Sequence, residues 1–151
     1  MLIKRLIIFG ILFCSNIGFA ENLDAPTPQI QQLLRRISML ESALAPTNPQ
    51  AVAKAWAEAT KNRNGAVQYM LLCPSLQKVN LANLEALNWV TGISSPWISS
   101  YKVEFRNKEG NVSQFFIQYQ FTDGGKETWK AIDYINIIHV DRQRVEFSNM
   151  K

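Results

Sequence analysis

The sequence of 151 residues predicts an α+β fold, in which N-terminal helices pack on a curved, roughly four-stranded antiparallel sheet. Up to Val90, apolar residues recur at the helical spacings of three and four. After Pro96 they alternate with polar residues, which is typical of strands. Helices that precede a run of hairpin-linked strands collect on one face of the sheet, and this order therefore favours the α+β class.

Residues 1–20 have the organisation of an export signal that is cleaved after Ala20. Lys4 and Arg5 form a basic start, and an apolar stretch runs from Leu6 to Phe13. We therefore expect a periplasmic or secreted mature chain.

Two alternatives to cleavage remain open for this leader. An uncleaved membrane anchor is disfavoured, because the apolar stretch is well short of the ~20 residues that a membrane-spanning helix needs. Lipid attachment at Cys14 is disfavoured by the bulky Phe13 before it. No other segment is apolar over enough residues to span a membrane.

Composition and charge indicate one globular domain and argue against a nucleic-acid partner. Hydrophobic residues make up 47% of the chain and charged residues 19%. The formal charge of +4 includes Lys4 and Arg5, so the mature chain carries only a small positive excess. Cys73 is the one cysteine beyond the leader, which excludes an intramolecular disulfide. We expect Cys73 to be buried; a reactive thiol is the alternative.

An amphipathic helix is predicted after a flexible leading strip at residues 21–28. Its apolar residues follow spacings of three and four and form one stripe: Ile30, Leu33, Ile37, Leu40 and Leu44. Leu34 widens this stripe. The helix either lies on its own domain or binds a second copy or a protein partner. Residues 21–48 therefore form an N-terminal segment with a short linker, and residues 49–151 form the α+β domain.

Three further helices are predicted before the strands. Asn48 is expected to cap a helix that begins at Pro49. The Asn64-Gly65 pair is expected to end that helix, since glycine adopts left-handed backbone angles easily. A short helix should follow from Ala66 to Leu72, and another should surround Leu84.

The rest of the chain predicts strands joined by short turns. One face of the first strand should carry Trp97, Ser99, Tyr101, Val103 and Phe105, before a turn at residues 107–110. Phe115, Ile117, Tyr119 and Phe121 should share a face of the second strand, before a turn at residues 123–125. The third strand, residues 128–140, is apolar on both faces and should be central. A last strand is expected over residues 142–147.

Three segments carry a resemblance to a known superfamily. They are Ala53–Ala59, Asn64–Leu72 and the stretch Asn88–Trp97 that leads into the sheet. In this order they resemble the nuclear-transport-factor-two-like (cystatin-like cone) superfamily, as an exported bacterial member, over Pro49–Met150. Similar folds occur in steroid-isomerising enzymes, dehydratases, extension domains of penicillin-binding proteins and periplasmic domains of type IV secretion components. The resemblance alone therefore implies no single activity.

No catalytic or metal-binding motif stands out in the residues. His139, the single histidine, is about six residues or ~20 Å along its strand from Asp133, too far for a catalytic contact. Asp141 is closer and could form an exposed pair with His139. One histidine and one cysteine are too few for a zinc site, so we predict neither a metal nor a cofactor.

Asp133 is the best candidate for an acid or base, because enzymes of the resembling superfamily commonly place an aspartate and a tyrosine in the cone. Burial in an apolar strand would raise its pKa. Tyr119 or Tyr134 could donate a hydrogen bond. The favoured alternative is structural, with Asp133 paired to Lys102, to Lys130 or to a neighbouring strand, or directed to water.

The predicted function is a non-catalytic binding or assembly module of the bacterial cell envelope, whose helical stripe binds a protein partner or a second copy. The alternative is a small-molecule enzyme of isomerase or hydrolase type that uses Asp133. A small apolar ligand is a further possibility, in a pocket lined by Trp56, Tyr69, Trp89, Trp97, Tyr119 and Asp133. Packing in the core is the simpler role for these aromatic residues.

Overall fold

The computed structural model describes residues 26–92, 95–140 and 144–149. The expected leader and its cleavage site lie outside these residues. The predicted contact between His139 and Asp141 and the start of the last strand at residue 142 also lie outside them.

Among the described residues, four helices precede the strands, and proline or asparagine marks where they begin. The helices are α1 (Pro28–Leu44), α2 (Pro49–Lys61), α3 (Gly65–Leu71) and α4 (Pro74–Ala86). Asn48 caps α2 as predicted, since its side-chain oxygen accepts a hydrogen bond of 2.8 Å from the backbone N–H of Ala51. Thr27 caps α1 in the same way through a bond of 3.4 Å to the N–H of Ile30.

The predicted left-handed role of Gly65 is wrong, because Gly65 begins α3. The N–H of Asn64 still takes part in closing α2, through a hydrogen bond of 2.8 Å to the carbonyl of Ala59. Asn64 accepts a bond of 3.1 Å from the N–H of Val67 and so acts as an N-cap. The left-handed residue after α2 is Arg63, with a φ of 57°. An asparagine before a glycine occurs at either end of a helix. Here the hydrogen bond from the N–H of Val67 to the Asn64 side chain shows that the pair begins α3.

The strands form an antiparallel sheet on which the helices pack, which confirms the α+β class. They are β1 (Trp97–Glu109), β2 (Val112–Asp123), β3 (Lys126–Val140) and β4 (Arg144–Asn149), paired in chain order. The first turn is tighter than predicted, because residues 107–109 continue β1 and only Gly110 and Asn111 connect it to β2. Gly110 has a φ of 57°, which such a turn requires.

The predicted face of β1 is wrong at its start. The register shifts between Ile98 and Ser100, because a β-bulge places one extra residue in β1. Ile98 therefore packs on the core, and Trp97 remains 49% exposed. Beyond the bulge, Tyr101 and Val103 face the core as predicted.

The core lies between α2 and one face of the sheet, called here the inner face. Its members from the sheet are fully or almost fully buried: Phe115, Ile117, Tyr119, Ile135 and Ile137. From α2, Val52, Ala53 and Ala57 pack against them. The small alanine side chains let the helix backbone lie close to the sheet. The opposite, outer face carries partly exposed apolar residues such as Ile132 and Tyr134.

Candidate functional site

Helix α1 exposes its whole apolar stripe. Every residue of α1 is exposed, and the predicted partner-binding residues Ile30, Leu33, Ile37, Leu40 and Leu44 are between 43% and 72% accessible. The structure therefore keeps the five together on one stripe, and the described part of the α+β domain does not cover them. Contiguous apolar surface of this kind marks interaction sites in soluble proteins.

The residues after α1 end this helix before the domain begins. Ala45, the C-cap of α1, is extended with a ψ of 126°, because the residue before a proline avoids helical angles. Pro46 then prevents the helix from continuing, and α2 begins anew at Pro49. The short linker thus separates two helices that would otherwise form one.

Asp133 lies on the inner face of β3, two positions before the buried Ile135. The predicted pairing with Lys102 or Lys130 is wrong, because both lysines point to the outer face, where they line a shallow cavity with Gln118. Lys102 there forms an ion pair of 2.7 Å with Glu104.

The Tyr119 hydroxyl lies beside the Asp133 carboxyl, and Tyr119 as a whole is only 2% exposed. The Tyr119 hydroxyl is buried and makes no hydrogen bond of good geometry with any described residue. The hydroxyl of Thr60 on α2 also lies near it, but donates its own proton to the carbonyl of Trp56 over 2.9 Å. A buried hydroxyl without a partner is energetically costly.

Burial raises the pKa of the Asp133 carboxyl, and the nearby Tyr119 hydroxyl offsets this only in part. Burial also raises the pKa of Tyr119 well above its ordinary range, and the charge of Asp133 raises it further. The tyrosine is therefore neutral at all physiological pH values.

Asp133→Asn is expected to stabilise the protein at pH 7 and to have little effect near pH 3. Below the ordinary pKa of aspartate, folded and unfolded chains both hold the proton. As the pH rises, the unfolded chain releases it first, because the folded pKa is raised. The wild-type protein therefore loses stability with pH through this interval, and asparagine removes the loss. Thermal unfolding across the pH range measures the difference.

Asp123→Asn is the matched control, because it removes an exposed carboxylate and changes the net charge equally. If the stability difference between Asp133→Asn and wild type is the same at every pH, the prediction is contradicted.

A second pair of polar groups joins α2 to β1. The Tyr101 hydroxyl donates a hydrogen bond of 2.7 Å to the Glu58 carboxylate. This bond lowers the pKa of Glu58, with a further contribution from the Asn62 amide. Sequence analysis missed Glu58, since the alternation in β1 points to Tyr101 but contains no information on which helix residue lies opposite it.

Of the six residues of the predicted pocket, Trp56 alone lines either of the two cavities described below. Tyr69 and Trp89 contact each other edge to face, with ring centroids 5.4 Å apart. Trp97 lies under the Arg63 guanidinium, 5.7 Å from the ring centre. Tyr119 and Asp133 lie on the inner face of the sheet.

Trp56 lines a cavity of about 160 Å³ between the helices, together with Gln68, Asn80 and Asn83. The shallow outer cavity of about 260 Å³ is lined by Gln118, Gln120 and the two lysines on the sheet. Neither of these two cavities is lined by Asp133 or Tyr119. Cys73, at the start of α4, is buried as predicted, with its Sγ 3.2 Å from the Ser75 hydroxyl.

Within the described residues, no three histidine, cysteine, aspartate or glutamate side chains cluster as metal ligands would. None of the described helices is both long and apolar enough to cross a membrane. Comparison with known proteins adds no assignment, since no family model, curated protein or solved structure matches the chain significantly.

Proposed function

We propose that the protein is a non-catalytic binding or assembly module of the bacterial cell envelope, which recognises a protein through the apolar stripe of α1. The observation that carries this proposal is the complete exposure of a 17-residue helix with five large apolar residues in one row. Fully burying such a side chain contributes roughly 1.5–3 kcal/mol of free energy. Covering the exposed stripe with a bound protein would therefore make a large favourable contribution to binding.

The helix itself supports the same proposal. Isolated helices of about this length are marginal in water, and helices in proteins gain most of their stability from packing of an apolar face. Since α1 packs that face on nothing in the described chain, a bound protein would supply the missing contact. Recognition and stabilisation of α1 would then occur together.

The proposal also includes the cellular location of the protein and its superfamily. The leader at residues 1–20 supports export to the envelope. The order of helices and antiparallel strands supports membership of the cone-like superfamily, with four strands in the sheet. Members of that superfamily in the envelope act as assembly domains as well as enzymes, and the exposed helix favours assembly.

Replacing Leu33 and Ile37 with glutamate is expected to abolish binding through α1, because two charges would enter the centre of the stripe. The readouts are mass by light scattering and recovery of bound protein in pull-downs from envelope extracts. The control is Ser38→Glu with Ser42→Glu, which adds the same charges at the same spacing on the other side of the helix. Unchanged mass and unchanged pull-downs for the Leu33 and Ile37 variant would contradict the proposal.

A small-molecule enzyme is the second candidate, favoured by the buried Tyr119 hydroxyl that lies beside the Asp133 carboxyl. Such a pair could hold a polar group of a substrate. The two functions separate by variant: Asp133→Asn should leave recognition by α1 intact, whereas loss of turnover of an identified substrate in Asp133→Asn would support the enzyme.

A further inference from the structure

We infer that the protein bound by α1 is a second copy of this chain, and that the two α1 helices pair in parallel as a short coiled coil. This inference rests on the proposed function and names its partner. It is drawn from the residues in the stripe and from the charges beside it.

The stripe has the residue types of a two-stranded parallel coiled coil. With Ile30 at position a of a heptad, Ile37 and Leu44 occupy the next a positions, and Leu33 and Leu40 occupy both d positions. Isoleucine at the first two a positions and leucine at both d positions favour two parallel strands, because β-branched and γ-branched side chains fit the different geometries of these two layers.

The charges on either side of the stripe fit a second copy. In the same register Arg36 occupies position g, and Glu41 occupies position e of the following heptad. In a parallel pair, g of one helix lies beside the next e of the other. Arg36 of each copy would therefore meet Glu41 of the other, which gives two symmetric ion pairs.

The opposite orientation has no such match. An antiparallel pair places g beside g and e beside e, so Arg36 would approach another Arg36 or Gln29, and Glu41 would approach Leu34 or another Glu41. Neither Arg36 nor Glu41 has an ion-pair partner among the described residues of its own chain. The charge pattern thus selects the parallel arrangement.

Parallel pairing has a consequence for the two α+β domains. Both follow the same end of the helix pair through the four-residue linker, so they lie side by side.

Charge reversal tests the pairing. Arg36→Glu and Glu41→Arg should each weaken self-association of the purified protein by about tenfold or more, because two attractive pairs become two repulsive ones. An equimolar mixture of the two variants should restore the dimer, since each variant then supplies the charge that the other needs. Sedimentation at several concentrations measures both effects. A wild-type protein that stays monomeric throughout would overturn the inference.

Cross-linking tests the orientation. Leu44→Cys places a thiol at the last a position, where a parallel pair brings the two copies together, so mild oxidation should give a disulfide-linked dimer. Ser42→Cys, on the outer side of the same turn, is the control and should give none. A dimer in which Leu44→Cys does not cross-link would overturn the parallel arrangement.

Failure of this inference differs from failure of the proposed function. If wild type is monomeric but binds another envelope protein, and the Leu33 and Ile37 variant does not, α1 is a recognition helix for a different partner. If the Leu33 and Ile37 variant is unchanged in both respects, the proposed function itself is wrong.

Discussion

Replacing Ile135 with alanine is expected to lower the free energy of unfolding by about 3 kcal/mol, within the range measured for large-to-small changes in protein cores. Ile135 is 0% exposed and packs in the core between the inner face and α2. It pairs across the sheet with Phe115, which is also buried. Strand pairing on the β2 side leaves little freedom for collapse around the missing methyl groups, so a cavity should remain.

The matched control is Ile132→Ala, on the same strand but on the outer face, where the side chain is 45% exposed. We expect a cost below about 1 kcal/mol there, because the surface can relax and little transfer energy is lost. Denaturant unfolding followed by tryptophan fluorescence measures both variants. Equal costs at the two positions would contradict the assignment of the inner face as the core.

Alternation identifies the faces of a single strand but does not show which face is buried. It placed Ile117 and Tyr119 on one face of β2, because a regular strand has a period of two. In β3 both faces are apolar, and only the pairing of Ile135 with Phe115 shows that Ile135, and not Ile132, lies in the core. The same rule failed at Trp97, where one inserted residue reverses the face. A bulge of this kind leaves no periodic signal in so short a stretch, so only the strand pairing shows it.

Sequence reasoning likewise predicts one part of the candidate site and not another. The stripe of α1 is a local property of one helix, and its five residues follow from spacing alone. The surroundings of Asp133 depend on which face of β3 packs under α2 and on residues far apart in sequence, such as Thr60 and Tyr119. Sequence identified Asp133 and named Tyr119 as a possible donor to it, and the two side chains do lie beside each other. The lysine neighbours that it also offered lie on the other side of the sheet.

Gly65→Ala is expected to destabilise the protein by about 1–3 kcal/mol, although alanine is the better helix former. A Cβ at this position would lie 2.8 Å from the backbone oxygen of Trp89 and 3.0 Å from Leu84 Cδ2. The N–H of Gly65 donates a hydrogen bond of 2.9 Å to that same oxygen. The new methyl group would therefore push apart two backbone segments that are joined by a hydrogen bond.

The neighbouring backbone has little room to yield. Asn88 and Trp89 both have positive φ, of 48° and 62°, and non-glycine residues adopt such angles only where the surroundings hold them. Asn64 pairs with Val90 in an isolated bridge, and the Trp89 ring packs against Tyr69. A shift of Trp89 that relieved the clash would thus disturb the contact between α3 and the end of α4.

The control for this position is Ala66→Val, at the next residue of α3, which is exposed. It adds more volume than Gly65→Ala, but we expect it to cost under about 0.7 kcal/mol, the difference in helix propensity. Thermal or denaturant unfolding compares the two. If Gly65→Ala equals or exceeds wild type in stability, the close approach of α3 to Trp89 does not constrain this position, and helix propensity alone decides the outcome.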